Sequence, residues 1–356
     1  GRLAVPVVQV GFERHTERFE RSGTRFIGGL LGGSFGRNDE LLDFTAGAPN
    51  GFLRAIGTRS ASGDYEDGDG NEVHSEYERW SGTAIAGWTP SDRTRLEVTY
   101  GRSDGEAAYG DRPMDATAFD KESYSAKFEQ RDISPLFGKV SAEFYHSYID
   151  HVMDNFTLRD PAPMMGMPMT MKVVSNPDRE VDGGRLRAEL NLGEATFATI
   201  GADYQQDEHT ARKVSAMLSA ADPDPDSAPR TPDMSFDSVG VFGEVEHQLS
   251  LDNSLSAGLR MDKVTATAES SVGGVAADTE DEDTNRAGFL RFEHQTSPGR
   301  VMYVGLGHAE RSPDYWERRK DFELDPEKSN QIDLGMSYRT DAMAANVSVF
   351  YNQIQD

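Results

Sequence analysis

No cysteine occurs in the 356 residues, which excludes a disulfide framework, an iron–sulfur site and a zinc ribbon from this stretch of chain. Basic residues are scarce: 36 Lys and Arg stand against 61 Asp and Glu, for a net charge of -25. Phosphate backbones need a basic surface, so nucleic acid is excluded as a partner. No window approaches eighteen consecutive apolar residues, so a transmembrane helix is excluded as well. Helical periodicity is essentially missing. Catalytic patterns are missing too. The glycine-rich GGLLGGSFG at 28–36 sits in a strand pattern, with no following helix or Lys to make a phosphate loop. The eight His show no zincin spacing, and no Ser-His-Asp set can be assembled. Asp67, Asp69 and Glu72 lack the full spacing of an EF-hand. Neither an enzyme nor an organic cofactor is expected.

What is present is period-two alternation, from about Arg21 onward. Leu96, Val98 and Tyr100 alternate with Arg95, Glu97 and Thr99, and Tyr124, Ala126 and Phe128 with Ser123, Ser125 and Lys127. Leu186, Ala188, Leu190 and Leu192 alternate with Arg185, Arg187, Glu189 and Asn191, as do Ile332, Leu334, Met336 and Tyr338 with Asp333, Ser337 and Arg339. We read about fifteen strands of roughly 9–16 residues, well beyond the usual ~5–6 of soluble sheets.

The connections are more informative than the strands. Short turns at 49–51, 89–93, 192–196, 251–254, 296–299 and 339–342 alternate with long polar loops. The long loops start at Asp64 and Ser103, include a Met-rich segment, and continue at His209–Asp233, Ala268–Asp283 and Glu310–Lys328. This alternation predicts an all-β fold, a transmembrane antiparallel β-barrel with short periplasmic turns and long extracellular loops. Trp80, Trp88, Tyr100, Tyr145, Tyr148 and Tyr351 stand near strand ends, where interfacial girdles form, although aromatics favour strands anyway. Residues 1–20, with LAVPVVQVGFER, read as the end of a preceding domain, and 21–356 as an incomplete barrel. Both chain ends are expected to be cut. The acidic runs Asp64–Glu72, Asp222–Asp226 and Asp278–Asp283 suit either cation focusing or solvated loops facing lipopolysaccharide.

One stretch stands apart: HVMDNFTLRDPAPMMGMPMTM, from His151 to Met171, holds six of the thirteen methionines. Pro161, Pro163, Gly166 and Pro168 forbid a helix that would pack its Met inward. Thioether and imidazole donors form a soft set suited to Cu(I). In FGKVSAEFYHSYIDHVM, Lys139, Ser141, Glu143, Tyr145 and Ser147 form the polar set; His151 and Met153 share its parity and should face the lumen together. His146 falls on the opposite face and reads as structural. Met164, Met165, Met167, Met169 and Met171 read either as a low-affinity metal-collecting loop or as flexible hydrophobes closing the lumen. Met114 and Met217 read as filler.

At this point the sequence resembles the TonB-dependent outer-membrane receptors. LLGGSFGRNDELLDFTAG is similar to their first barrel hairpin, and GLGHAERSPDYWER followed by LDPEKSNQIDLGMSYR to their later-barrel pattern. Within that superfamily, YIDHVMDNFTLRDPAPMMGMPM and YEDGDGNEVHSEYERW resemble the TonB-dependent copper receptors. The resemblance implies a 22-stranded bacterial outer-membrane barrel, a monomer, with an N-terminal plug, a TonB box upstream, and TonB with its inner-membrane complex as partner. It implies copper ion as cargo, held by a His-x-Met pair that maps onto His151 and Met153 and by a sulfur pair on the plug. The other readings are a TonB-dependent receptor for a siderophore-type chelate and a passive porin or structural barrel.

Overall fold

The computed structural model describes residues 18–161, 171–340 and 342–355. Long strands dominate it: β1 (Gly23–Gly32), β2 (Asn38–Ala48) and β3 (Gly51–Ser62), then a small hairpin of β4 (Tyr65–Glu66) and β5 (Glu72–Val73). After the hairpin come β6 (Tyr77–Ser91), β7 (Thr94–Ala107), β8 (Asp115–Arg131), β9 (Phe137–Asp154), β10 (Met171–Asn191) and β11 (Thr196–Met217). The chain continues through β12 (Thr231–Ser250), β13 (Asn253–Ala268), β14 (Thr279–Ser297), β15 (Arg300–Arg311), β16 (Glu327–Arg339) and β17 (Ala344–Gln355). Apart from the hairpin, all lie in one 15-stranded antiparallel sheet in simple sequence order, with β1 and β17 at its edges. No described helix is long and apolar enough to cross a membrane.

Period two sorts the side chains onto two faces. Leu53, Leu186, Leu259 and Val349 lie on the outer face with more than three-fifths of their surface exposed, an apolar surface of the kind lipid covers. The inner face is polar and tied across strands. Arg54 Nε donates to Asp43 at 2.9 Å, and Arg260 bridges Asp203 at 2.9 and 2.7 Å. Lys139 spans Glu129 and Glu189 at 3.5 Å each, and the Arg291 guanidinium lies 3.7 Å from the Tyr303 ring centre. An apolar exterior around a charged interior inverts the soluble pattern; this is the wall of a transmembrane β-barrel, open along β1 and β17.

The predicted turns at 49–51, 251–254 and 296–299 fall at one end of the sheet, where β2, β12 and β14 end. Gly299 in one of them has φ +76°, and a Cβ there would meet the Arg339 carbonyl at 2.1 Å, so only glycine fits. The opposite end corrects the sequence reading. Strands reach 21 residues in β10 and 22 in β11, beyond the expected length. Much of the expected His209–Asp233 loop is therefore ladder at its two ends, since β11 runs to Met217 and β12 starts at Thr231, leaving 218–230 as the connection. Past the apolar band both faces meet water or loops, so pairing continues without the apolar alternation that marks a strand in sequence.

The β15–β16 connection folds back over the strand ends. Its short helix α1 (Tyr315–Arg318) carries an Asp314–Glu317 capping box, and Tyr315 and Phe322 pack with Met234, Ala266 and Ala268. Arg318 is fully buried and donates to Asp281 and Asp283 at 2.7 Å each.

Replacing Leu186 with Arg puts a charge on the lipid-facing surface without touching an inner contact. It is expected to reduce folding into bilayers by about 2–4 kcal/mol, read as loss of the heat-modifiable folded band on gels after refolding into vesicles.

Candidate metal centre

His151 and Met153 lie near the end of β9; both are in register with β8, and Met153 is also in register with β10. Phe119 is the cross-strand neighbour of His151, while Ala116 and Ser175 flank Met153. Both residues share the parity of the polar inner set, as the sequence predicts. The outer face at this height has left the apolar band behind. Five residues earlier, His146 points outward, stacks on Tyr124 at 4.5 Å and is held through Nδ1 by Asp182 at 2.9 Å. His146, Glu180 and Asp182 bring three donor atoms within 4.8 Å of one another on that outer face, well away from the inner pair.

The His151 ring is held on one flat side by Phe119, with ring centres 4.0 Å apart and planes 21° from parallel. Its Nε2 is buried and has no hydrogen-bond partner. An orphaned polar atom in such a place costs free energy unless something else satisfies it. In its neutral form the imidazole has a lone pair at this nitrogen to offer a metal.

The backbone beneath the pair is specially built. Asp150 and Met153 pair with Asp178 and Ser175, but no ladder pair lies between them, where Pro177 stands without an N–H. The Asn176 side chain supplies the missing donor, giving Nδ2 to the His151 carbonyl at 3.2 Å. Asn176 is itself fixed, accepting from Arg212 Nε at 2.7 Å and from Arg230 at 3.0 Å. Directly after β9, Asp154 closes a turn by accepting from the Phe156 and Thr157 amides at 2.9 and 2.8 Å. Buried Asn155 then ties the two stems of the Met-rich segment together. It donates to the Met171 carbonyl at 3.0 Å and accepts from the Val173 amide at 2.8 Å.

Met171 opens β10 on the inner parity, four residues from Ser175 and so about 13 Å along the strand from the level of Met153. Its register partner is Met217, which the sequence alone presented as filler. Met164, Met165, Met167 and Met169 lie outside the described residues.

A second anchor joins three loops beside Met153. Asp115, fully buried and in register with Asp154, accepts from His74 Nε2 at 2.9 Å, Arg159 Nε at 2.7 Å and the Tyr109 amide at 2.9 Å. Arg159 also donates to the Arg112 and Tyr109 carbonyls, at 2.6 and 2.7 Å. Sequence reasoning missed Asp115, Asn155, Asn176 and Phe119. Each is an ordinary residue in its own segment and gains its role from partners as far as 18 to 44 positions away.

A family model described as TonB dependent receptor-like, beta-barrel, matches residues 57–356. The chain belongs to the TonB-dependent receptor β-barrel family. Among solved structures it is similar to the copper transporter OprC, at 37% identity and a TM-score of 0.91, over 97% of this chain and 57% of that one. The FrpB iron transporter of Neisseria meningitidis (F3-3 variant) follows at 15% identity and a TM-score of 0.71, covering 95% of this chain and 56% of that one. The ferric citrate transporter FecA, unliganded, gives 13% identity and a TM-score of 0.73 over 95% of this chain and 52% of that one. The last two likenesses concern the fold alone. The chain spans little more than half the length of each of these receptors. No curated protein matches it.

Three expectations concern the anchors. Desolvation raises the Asp115 pKa, but the hydrogen bonds from Arg159 and His74 outweigh it and hold the carboxyl below its ordinary value. A group with a lowered folded pKa contributes stability above its unfolded pKa, lost as pH falls through the folded one. The Tyr109 amide should therefore stay protected from hydrogen exchange through pH 7 to 5, opening only in stronger acid. Asp115→Asn should loosen this junction by about 1.5–3 kcal/mol at neutral pH, read as tryptic cleavage at Arg159. Asn155→Ala leaves the Val173 amide and the Met171 carbonyl unpaired, and exchange at Val173 should accelerate by an amount equivalent to about 1–3 kcal/mol.

Proposed function

We propose that the protein is an outer-membrane receptor that binds copper ion at its extracellular side and imports it into the periplasm with energy from TonB. The observation that carries this reading is the buried, unpartnered Nε2 of His151 on the same inner face as Met153. A neutral imidazole and a thioether suit Cu(I) better than hard, oxygen-preferring cations, and the likeness to the copper transporter OprC supports the same cargo.

In this reading residues 1–20 are the end of a plug and 21–356 the incomplete barrel wall. Arg18 fits that boundary: it donates to the Pro49 and Thr89 carbonyls at 2.8 and 3.2 Å and pairs with Asp92 at 2.5 Å, at the short-turn end of the sheet. Copper first meets the Met-rich loop, where Met164, Met165, Met167, Met169 and Met171 collect it, with Met217 beside Met171. It then passes to His151 and Met153, and the plug supplies the remaining donors. When TonB pulls on the plug, the two halves of the site separate and the ion is released inward. The outer apolar face is covered by outer-membrane lipid and lipopolysaccharide, and the receptor works as a monomer without an organic cofactor.

The test is copper content. Full-length protein purified after exposure to copper is expected to retain about one equivalent of tightly held ion, and the His151→Ala/Met153→Ala double variant to lose nearly all of it. Equal content in the two proteins overturns the assignment.

A further inference from the structure

His151 owes its orientation to a neighbour that has no donor atom of its own. Phe119 is the register partner of His151 and lies face to face with it, 4.0 Å between ring centres and 21° from parallel. The meeting depends on two register slips, one between Ser103 and Ala107 in the β7–β8 pairing and one between Ala116 and Ala118 in the β8–β9 pairing. The slips take the Phe119 amide out of the regular ladder. The Asp104 carboxylate receives it instead, accepting at 2.9 Å while also accepting the Gly105 amide at 2.7 Å. Bulges of this kind re-aim a side chain, and this one delivers an aromatic ring onto the imidazole.

We infer that Phe119, seated by Asp104, is a positioning and specificity residue for the metal centre: it fixes the plane of the His151 imidazole and keeps water off one side of it. The inference rests on the proposed copper site. An imidazole in an open lumen turns about its terminal torsion, which is broad and two-fold, and loses that freedom when it binds an ion. A ring already stacked has lost it beforehand, and preorganisation of this kind appears as affinity. The apolar face of Phe119 also leaves little room for a hydration shell. A soft ion that sheds its water easily loses little there, whereas a hard, strongly hydrated ion loses much.

The experiment uses the full-length receptor and Cu(I) delivered anaerobically from a chromophoric competitor, with Zn(II) as the second probe. His151→Ala is measured first; unchanged Cu(I) affinity in that variant overturns the site itself and leaves Phe119 nothing to position. With the site established, Phe119→Leu keeps an apolar side chain but removes the flat ring, and should weaken Cu(I) binding roughly tenfold while narrowing the preference over Zn(II). Phe119→Tyr restores the ring and should return both quantities to within about twofold of the parent. Asp104→Ala, which leaves the ring in the protein but removes the acceptor of its amide, should weaken Cu(I) in the same direction. It remains informative if Phe119→Leu fails to insert. Folding of every variant is checked by heat-modifiable mobility. Wild-type affinity in Phe119→Leu or Asp104→Ala overturns the inference, as does a Phe119→Tyr variant no better than Phe119→Leu, because a packing defect would not follow the ring.

Discussion

Backbone N–H and C=O groups inside a hydrocarbon layer have no water to turn to, and nearly everything in this molecule follows from that constraint. With no described helix long and apolar enough to cross, those groups are satisfied between neighbouring strands. The antiparallel ladder does so in sequence order from β1 to β17. Once pairing is obligatory, each strand shows one set of side chains to lipid and the other to the interior. Leu186 and Arg185 are one residue apart and meet opposite environments for that reason. The acidic composition belongs to the interior and the loops, where carboxylates are held by arginines or face water.

The same ladder makes a wall on which a metal centre can be assembled with little freedom left over. His151 and Met153 are aimed inward by their place in β9, not by a specialised fold. What distinguishes this stretch of wall is the number of breaks in regular pairing around it: Pro177 opposite, Asn176 substituting for its missing N–H, two register slips in β8, and the Asp154 turn immediately after. Each break costs ladder hydrogen bonds and each is repaired by a side chain. Together they leave one imidazole nitrogen that nothing repairs.

Much of the candidate site is legible in the sequence. The shared parity of His151 and Met153 is arithmetic. The outward His146 follows from the same count. Phe119, Asn155 and Asn176 were illegible because a residue's partners across a sheet depend on register, and register here is displaced by bulges with no sequence mark of their own. Strand length was misjudged for a related reason. The hydropathy alternation fades once a strand leaves the lipid, while its hydrogen bonds continue, so β11 runs into what read as loop.

The sequence by itself determined the class of fold, the face each side chain takes and the inward aim of the candidate ligands, because a period of two needs only local geometry and one apolar environment. Tertiary structure alone decided which residues meet across the strands: Phe119 against His151, Asp115 beside Met153, and Met217 opposite Met171. Those encounters join positions 32 to 46 residues apart, and long-range register is fixed by pairing between whole strands, not by any local stretch of sequence.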